Sequence, residues 1–255
     1  MDYKKDKLSV IMPALNEEAN ISDAISSTVK ALDLFKIDGE IIVVNDGSSD
    51  RTQSLAEEKA KEDPGRIRVI KHERPKGIGA SFWEGVDSAK GDAIIMLPGD
   101  NENDPQEALR YYKLLEQVDI VIPFIFNREV RSLSRNILSL VYRFIINTTF
   151  LVNFNYTNGT ILYRRSILWG IEERSDGFFF QTDILIRAAK KGYLFAEVPY
   201  KVGSRKNGVS KAISFPSLFK VIGGYLRLVR DYYFQKNKRQ RPDYSSDSQT
   251  AARRK

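Results

Sequence analysis

Three acidic side chains follow a short apolar run near the middle of the chain. The run AIIMLP covers residues 93–98, and Asp100, Glu102 and Asp104 come directly after it. Carboxylates at the end of a buried strand cost free energy unless water, a cation or a hydrogen-bond donor satisfies them. The spacing by itself leaves those three options open for Asp100 and Glu102. Asp104 precedes a helical pattern, so we expect it to cap a helix that begins at Pro105.

Composition limits the chemistry and the metals that such acids can support. The 255 residues include no cysteine and a single histidine, His72. Disulfides and thiolate-bound metals are therefore excluded, and chemistry built on a histidine pair or a Ser-His-Asp triad is disfavoured. Any metal must be bound by oxygen, which favours Mg²⁺ or Mn²⁺. The net charge of +7 favours anionic partners such as nucleic acid, lipid headgroups or phosphorylated substrates.

Two further stretches combine turn residues with charge. In VVNDGSSDRT, residues 43–52, Asp46 ends a strand-like run and Gly47 permits a tight turn before a helix. This pattern also fits a simple strand–turn–helix junction that binds nothing. GSRKNGVSK, residues 203–211, is a basic loop with the glycines and cations that suit phosphate, although many basic loops are only solvated surface.

Short apolar runs alternate with amphipathic stretches along the first half of the chain. This alternation predicts a parallel sheet covered by helices on both faces, with ligands at the carboxyl ends of the strands. The acids after residue 98 lie at such an end. The predicted strands cover residues 8–14, 40–46, 66–72, 92–98 and 119–124, and the predicted helices cover 17–35, 49–62, 77–90 and 104–117.

Two apolar, aromatic stretches interrupted by basic residues lie in the second half, at residues 132–154 and 213–234. They predict helices that lie in a membrane interface with cations such as Arg143 at headgroup level. Packing on the sheet, or contact between copies of the chain, is the alternative. The polar, basic tail from Lys236 predicts disorder. There is neither a secretory signal nor a run of about 20 apolar residues, so we expect a cytosolic or peripheral membrane protein.

Together these stretches resemble the nucleotide-sugar domain of glycosyltransferase family 2. PALNEEAN at 13–20, VVNDGSSDRT and the acids after the fourth predicted strand carry this resemblance. Within the family, the chain is most similar to the polyprenyl-phosphate (dolichol-phosphate) mannose or glucose synthases, through TNGTILYRRSIL, GFFFQTDILIRAAKKGYLFAEVPY and SRKNGVSK. The resemblance covers about residues 8–212 and implies an α/β, GT-A (Rossmann-like) fold with a C-terminal amphipathic helical segment.

The resemblance implies a set of donor-side residues. The family's D-x-D motif falls on Pro98-Gly99-Asp100, so its first acid is absent and the metal has one fewer protein ligand. Asp100, with Glu102 beside it, is then expected to bind Mg²⁺ or Mn²⁺ across the donor diphosphate. The implied base and ribose pocket comprises Pro13, Leu15, Glu17 and Asp46. The implied clamp for the donor or acceptor phosphate comprises Arg205, Ser210 and Lys211.

The acceptor side implied by the resemblance is a polyprenyl phosphate, whose oxygen is largely ionised at neutral pH. Such an acceptor needs cations that align it more than it needs a general base. Arg128, Arg131 and Arg135 are spaced to offer guanidinium groups near the start of an amphipathic helix, although they also fit a solvated helix face. Asp183 lies where other family members place a catalytic base, and it could instead position the acceptor.

The leading interpretation is a metal-dependent inverting hexosyltransferase that acts on a dolichyl or undecaprenyl phosphate at an anionic membrane surface, on its cytoplasmic side. It predicts a GT-A domain over 1–212, interface helices over 213–235 and a disordered tail over 236–255. The donor, a UDP- or GDP-hexose, is not specified further, and homo-oligomerisation is left open. A transferase with a hydroxyl acceptor and Asp183 as base is the nearest alternative, followed by a non-catalytic nucleotide-sugar binder. Nucleic-acid binding is disfavoured because the basic residues form no continuous face with stacking aromatics.

Overall fold

The computed structural model describes residues 7–203, 215–234 and 244–254. Seven strands of these residues form one sheet in the order β3-β2-β1-β4-β6-β5-β7. Only β6 runs antiparallel to its neighbours, so the sheet is mostly parallel, as predicted. The strands are β1 (Leu8–Ala14), β2 (Gly39–Asn45), β3 (Ile67–Lys71), β4 (Ala93–Met96), β5 (Ile120–Ile125), β6 (Leu162–Arg164) and β7 (Phe195–Tyr200).

The helices lie on both sides of the sheet and include the first three of the four predicted in the first half. They are α1 (Ile21–Phe35), α2 (Thr52–Glu62), α3 (Ile78–Ser88), α4 (Pro105–Leu109), α5 (Leu133–Phe150), α6 (Arg165–Trp169), α7 (Phe180–Lys191), α8 (Phe215–Tyr233) and α9 (Gln249–Arg254). The predicted helix over 104–117 is instead split into α4 and a 3₁₀ helix, Tyr112–Glu116. The carbonyl of Leu115 accepts a hydrogen bond from the buried Arg164 guanidinium, 2.5 Å away, rather than continuing an α-helix.

Alternating side chains along the central strands build two apolar cores. Val10 and Met12 of β1 pack on the face covered by α1, whereas Ile11 packs on the face that holds Phe82 of α3. Ile41 and its neighbours in β2 alternate in the same way. A parallel strand buried on both faces is mostly apolar, which is the pattern read from the sequence. Buried polar residues such as Ser9 in β1 and Glu40 in β2 are tolerated because they hydrogen-bond to each other at 2.7 Å.

The carboxyl end of β1 lies between the ends of β2 and β4. The backbone N–H of Asp46 donates to the Ala14 carbonyl at 2.8 Å, and that of Gly99 donates to the Pro13 carbonyl at 2.9 Å. Pro98 fits here because the main-chain donors toward β1 come from Leu97 and Gly99, so the N–H that proline lacks is not required. The two acidic motifs therefore follow neighbouring strand ends at one edge of the sheet.

Helices α5 and α8 correspond to the two predicted amphipathic segments, and each buries one side. Ile146 and Phe150 of α5 and Leu228 of α8 enter the core, and the Tyr225 hydroxyl lies 2.8 Å from Thr149 Oγ1. Both helices also expose large apolar side chains, such as Phe144 of α5 and Phe219 of α8. Among the described helices, none has the length and apolar character that crossing a bilayer requires.

The C-terminal tail differs from the sequence expectation over residues 244–254. Disorder is predicted there, yet α9 forms and Ser248 and Thr250 are buried. The physical reason is a tertiary contact: the buried carboxylate of Asp119, before β5, accepts hydrogen bonds from this segment. Local composition carries no sign of such a distant partner.

Candidate active site

The loop after β1 and the loop after β2 are fastened to each other by side chains. The Asn16 N–H donates to Ser48 Oγ at 3.0 Å, and Asn16 Oδ1 accepts from the Ser49 N–H at 2.9 Å. The Glu17 N–H donates to Thr52 Oγ1 at 2.8 Å. Asn16 has φ of 55°, a left-handed conformation that asparagine tolerates better than most residues. The two loops thus form one rigid rim at the edge of the sheet.

The predicted base and ribose pocket residues of the first loop lie along this rim. Pro13 is buried in β1, whereas Leu15 and Glu17 are half-buried beyond its end. The Glu17 carboxylate accepts a hydrogen bond from Asn20 Nδ2 at 2.9 Å, just before α1. The structure therefore brings these residues to the end of β1, next to the end of β2 that carries Asp46, and their contact with a nucleotide stays a prediction.

Asp46 is buried, and protein donors surround its carboxylate. Oδ1 accepts from the Lys76 N–H at 2.8 Å and lies 2.7 Å from His72 Nδ1, while Oδ2 accepts from the Gly77 N–H at 2.9 Å. Gly47 permits this approach, because a Cβ atom there would lie 2.6 Å from the Arg74 carbonyl carbon. Asp46 therefore positions the loop before α3, a role that the sequence prediction of base or ribose binding did not include.

His72 connects Asp46 to a second carboxylate. Its Nε2 lies 2.8 Å from Glu84 Oε2, which also accepts from Lys76 Nζ at 3.2 Å. Burial opposes ionisation of Glu84, but hydrogen bonds from His72 and Lys76 outweigh it and lower the pKa of Glu84. Sequence reasoning used His72 only to exclude mechanisms and missed this link.

Asp100 lies half-buried after β4, with Glu102 exposed beside it. Asp100 Oδ1 accepts from the Glu102 main-chain N–H at 3.1 Å, so the Asp100 carboxylate helps to shape the turn that carries Glu102. Within the described residues, no group of three or more acidic, histidine or cysteine side chains could hold a metal. The donor set therefore fits an Mg²⁺ or Mn²⁺ ion only if a bound diphosphate completes its oxygen ligands. Asp104 caps α4 as predicted, accepting from the Gln106 N–H at 2.9 Å.

Asp183 is buried in the first turn of α7 and is held by an ion pair. Arg187 Nε donates to Asp183 Oδ1 at 2.8 Å, and Arg187 Nη2 donates to Asp231 of α8 at the same distance. Burial raises the pKa of Asp183, and the charge of Arg187 opposes that rise. The geometry supports a positioning role that links α7 to α8, whereas a role as general base stays a prediction.

A cavity lined by arginines lies at the carboxyl end of β5. Burial raises the pKa of Tyr156, and a hydrogen bond and the charge of Arg131 oppose that rise, as does the charge of Arg135. Both arginines therefore lie close to this phenol. Because β5 is parallel to β1, the cavity opens at the same edge of the sheet as the acidic loops. Its lining includes Ile125, Arg128, Arg131, Asn136, Arg143 and Tyr156.

Arg143 lines this cavity, although its sequence position predicted a cation at headgroup level. Ser139, which also lines the cavity, lies one helical turn before Arg143 on α5, and Arg135 lies one turn earlier. This i, i+4 spacing was the available signal for a shared face. The predicted phosphate clamp of Arg205, Ser210 and Lys211 lies outside the described residues.

The mostly parallel sheet, its helical layers and the paired acidic loops at one edge define the class of GT-A glycosyltransferases. Residues 9–172 match the family described as Glycosyl transferase family 2, and the chain belongs to this family. The fold and the family predicted from the sequence are thus confirmed.

Two curated relatives are similar to this chain over most of its length. The polyprenol monophosphomannose synthase of Mycolicibacterium smegmatis is 31% identical over 223 residues, covering 79% of each chain. The undecaprenyl-phosphate 4-deoxy-4-formamido-L-arabinose transferase of Edwardsiella ictaluri is 29% identical over 208 residues, covering 80% of this chain. The matched part spans 62% of the length of that Edwardsiella relative.

Solved structures show the same fold. Glucosyl-3-phosphoglycerate synthase from Mycobacterium tuberculosis in complex with uridine diphosphate has a TM-score of 0.68 and 24% identity, covering 88% of this chain and 80% of that one. The same enzyme with Mn²⁺, UDP-glucose and phosphoglyceric acid has a TM-score of 0.65 and 23% identity, with 88% and 80% coverage.

We expect Asp46→Asn to loosen the loop before α3. The amide nitrogen of asparagine would point its own N–H groups at the main-chain N–H of Lys76 or Gly77. One part-buried donor would then be unsatisfied, which costs up to about 1–3 kcal/mol. Chemical denaturation should show that loss, and nucleotide titration should show weaker binding. Asp23→Asn, at an exposed position in α1, is the matched control. Unchanged stability in Asp46→Asn would contradict the positioning role.

Proposed function

We propose that this glycosyltransferase moves a hexose from a nucleotide-diphosphate sugar to a polyprenyl phosphate at a membrane surface, with inversion at the anomeric carbon. The observation that carries the proposal is the arginine-lined cavity at the end of β5, on the same edge of the sheet as the acidic loops. Guanidinium groups bind phosphate through two parallel hydrogen bonds, so Arg128, Arg131 and Arg143 form a site suited to a phosphate monoester. The two curated relatives are named for polyprenol and undecaprenyl phosphate.

The acceptor supplies its own nucleophile in this proposal. A phosphate monoester has a second pKa of about 6, so its oxygen carries charge near pH 7 without a general base. That oxygen bonds to the anomeric carbon as the bond from this carbon to the donor diphosphate breaks, and the nucleoside diphosphate leaves with the electron pair. Arg128 and Arg143 orient the phosphate and offset its charge, while the rim around Pro13 and Leu15 binds the base and ribose.

A hydroxyl acceptor is the second candidate, because Asp183 is an acid buried near the start of α7. A hydroxyl oxygen must lose a proton to react, and Asp183 would then accept it. The ion pair with Arg187 at 2.8 Å favours an ionised carboxylate that can serve as a base. The same Asp183–Arg187 ion pair is equally compatible with a role of Asp183 in positioning α7 against α8. The activities of substituted proteins are therefore needed to distinguish a phosphate acceptor from a hydroxyl acceptor.

Single-turnover sugar transfer separates these acceptors. For a lipid phosphate, we expect Arg128→Lys and Arg143→Lys each to slow transfer more than Asp183→Asn, because lysine does not reproduce the bidentate guanidinium contact. Arg110→Lys, at an exposed arginine paired with Glu107, is the matched control and should leave the rate unchanged. A short polyprenyl phosphate and a saccharide acceptor are compared for each variant, after circular dichroism confirms folding. A loss of about 10²–10⁴-fold in Asp183→Asn, with mild arginine effects, would support the hydroxyl acceptor instead.

A divalent cation belongs to the same proposal. Asp100 and Glu102 would hold Mg²⁺ or Mn²⁺ together with diphosphate oxygens, and the bound ion would offset the charge that develops on the leaving nucleotide. Structural neighbours in this fold are crystallised with Mn²⁺ or Mg²⁺ and uridine diphosphate. The turn that carries the two carboxylates depends on Asn101 at φ of 55°, outside the core.

We expect Asp100→Ala to abolish metal-dependent transfer while the protein stays folded, because the residue lies beyond the last core position of β4. Glu102→Ala, which is exposed and two residues away, should have a smaller effect and serves as the comparison. The measurement is turnover against Mn²⁺ and Mg²⁺ concentration, with thermal melting as the folding control. Turnover near that of the unaltered chain in Asp100→Ala at saturating Mn²⁺ would refute the assignment.

Peripheral membrane binding completes the proposal. Leu133 and Phe144 of α5 are 75% and 68% exposed, and Phe219 of α8 is 71% exposed. Large apolar side chains in this number on two neighbouring helices are typical of a surface that binds lipid or protein. A lipid surface is favoured because a polyprenyl acceptor stays in the bilayer and its phosphate must reach Arg143 on α5.

We expect the protein to co-sediment with anionic liposomes and to bind less at high salt, because salt screens the basic side chains. Phe144→Asp should weaken liposome binding by about tenfold or more, because it replaces an aromatic ring that would enter the lipid phase with a charged carboxylate. Leu34→Asp, at a residue of α1 that is 59% exposed, is the matched control. If Phe144→Asp instead dissociates a dimer detected by light scattering and leaves liposome binding intact, the exposed face is a contact between copies.

A further inference from the structure

The chain between α5 and β6 brings Tyr156 to the wall of the arginine-lined cavity. Asn155 and Tyr156 both line this cavity, and they begin the stretch of residues 155–159 that we call the cavity loop. One end of the cavity loop is bound to β7. The Asn155 N–H donates to Glu197 Oε1 at 2.6 Å, and Asn155 Nδ2 donates to Glu197 Oε2 at 2.9 Å. Both carboxylate oxygens of Glu197 therefore hold the residue that precedes Tyr156.

The other end of the cavity loop is bound to α7. The amide group of the buried Gln181 meets both main-chain groups of Gly159: Oε1 accepts from the Gly159 N–H at 3.0 Å, and Nε2 donates to the Gly159 carbonyl at 2.6 Å. The next residue, Thr182, donates through its hydroxyl to Thr157 Oγ1 at 3.1 Å and lies 2.8 Å from the Tyr142 hydroxyl of α5. Side chains of β7 and α7 thus fix the loop on both sides of its tyrosine.

The chemistry of Tyr156 suits an anion that enters the cavity. Burial raises the pKa of Tyr156, so the phenol keeps its proton near neutral pH even though Arg131 and Arg135 lie close to it. A guanidinium group can only donate hydrogen bonds, so the phenol oxygen accepts from Arg131 and its own proton can be donated to another oxygen. This neutral donor adds a directed hydrogen bond to the charge of the arginines. A phenol on a fixed loop also loses little conformational freedom when it forms that bond.

We propose that Tyr156 is a phosphate-binding residue of this enzyme: its hydroxyl donates a hydrogen bond to the acceptor phosphate while Arg131 holds the phenol oxygen. Gln181 is a positioning residue, because it acts through the loop that carries the phenol. This inference rests on the proposed polyprenyl phosphate acceptor and names a further group that recognises its phosphate. The alternative is that Tyr156 only fills the cavity wall, in which case its ring would suffice without the hydroxyl.

Removal of the Tyr156 hydroxyl tests the assignment. Hexyl phosphate, a soluble phosphate monoester, is titrated into the full chain by calorimetry, and melting curves confirm that each variant is folded. We expect Tyr156→Phe to raise the dissociation constant by about tenfold, the typical effect of one hydrogen bond to a charged group. Tyr244→Phe is the matched control and should leave the dissociation constant unchanged, because the Tyr244 hydroxyl donates to the Lys191 carbonyl, before the start of β7.

The outcomes separate this inference from the proposed function on which it rests. An unchanged dissociation constant in Tyr156→Phe, together with weaker binding in Arg143→Lys, would overturn the role of Tyr156 and leave the phosphate acceptor standing. If the unaltered chain did not bind hexyl phosphate, the phosphate acceptor itself would be refuted, and the role of Tyr156 with it.

A double-mutant cycle tests the positioning role of Gln181. Gln181→Met keeps the approximate length of the side chain and removes both hydrogen bonds to Gly159. We expect this substitution to weaken hexyl phosphate binding by about threefold or more in the unaltered chain, and by much less in Tyr156→Phe. Gln117→Met, at an exposed residue before β5, is the matched control. Equal losses in the two backgrounds would indicate a general structural effect and overturn the positioning role.

Discussion

Main-chain hydrogen bonds at the carboxyl end of β1 hold the two acidic loops of the site side by side. The carbonyls of Pro13 and Ala14 accept from Gly99 and Asp46, so the loops after β4 and β2 are set by one strand. That strand is fixed in turn by apolar side chains that alternate between two cores. A slip of one residue would exchange the faces and separate the loops, so the geometry of the site depends on the packing of the sheet.

Buried carboxylates connect the elements around this sheet. Asp46 fixes the loop before α3, Asp183 links α7 to α8 through Arg187, and Asp119 binds the C-terminal segment. Asp46 and Asp119 are each satisfied by several donors from distant parts of the chain, and Asp183 is satisfied by Arg187 one helical turn later, because a buried charge without donors would destabilise the fold. Such a carboxylate fixes one element of the structure against another. Its replacement is therefore expected to change the position of these elements more than the catalytic chemistry.

Helix α5 lies between a cationic cavity and an exposed apolar surface, and an amphiphilic acceptor requires both. Arg143 faces a cavity with cationic walls, whereas Phe144, the next residue, is exposed with other large apolar side chains. A polyprenyl phosphate carries the matching pair of groups, a dianionic head and an apolar chain. The arginine-lined cavity carries the proposed function, and the exposed apolar side chains beside it on the same helix support a lipid as the acceptor.

Local pattern and composition determined the strands, most helices and the cap at Asp104, because apolar periodicity and turn chemistry act over a few residues. They also placed Pro13, Asp46 and Asp100 at one edge of the sheet. The family was predicted from the resemblance of the sequence motifs to glycosyltransferase family 2. Tertiary structure alone decided that Arg143 lines the cavity, that His72 lies between two carboxylates and that residues 244–254 are ordered against Asp119. These outcomes depend on contacts between residues far apart in sequence, such as Asp119 with Thr250, whose free energy no local pattern records.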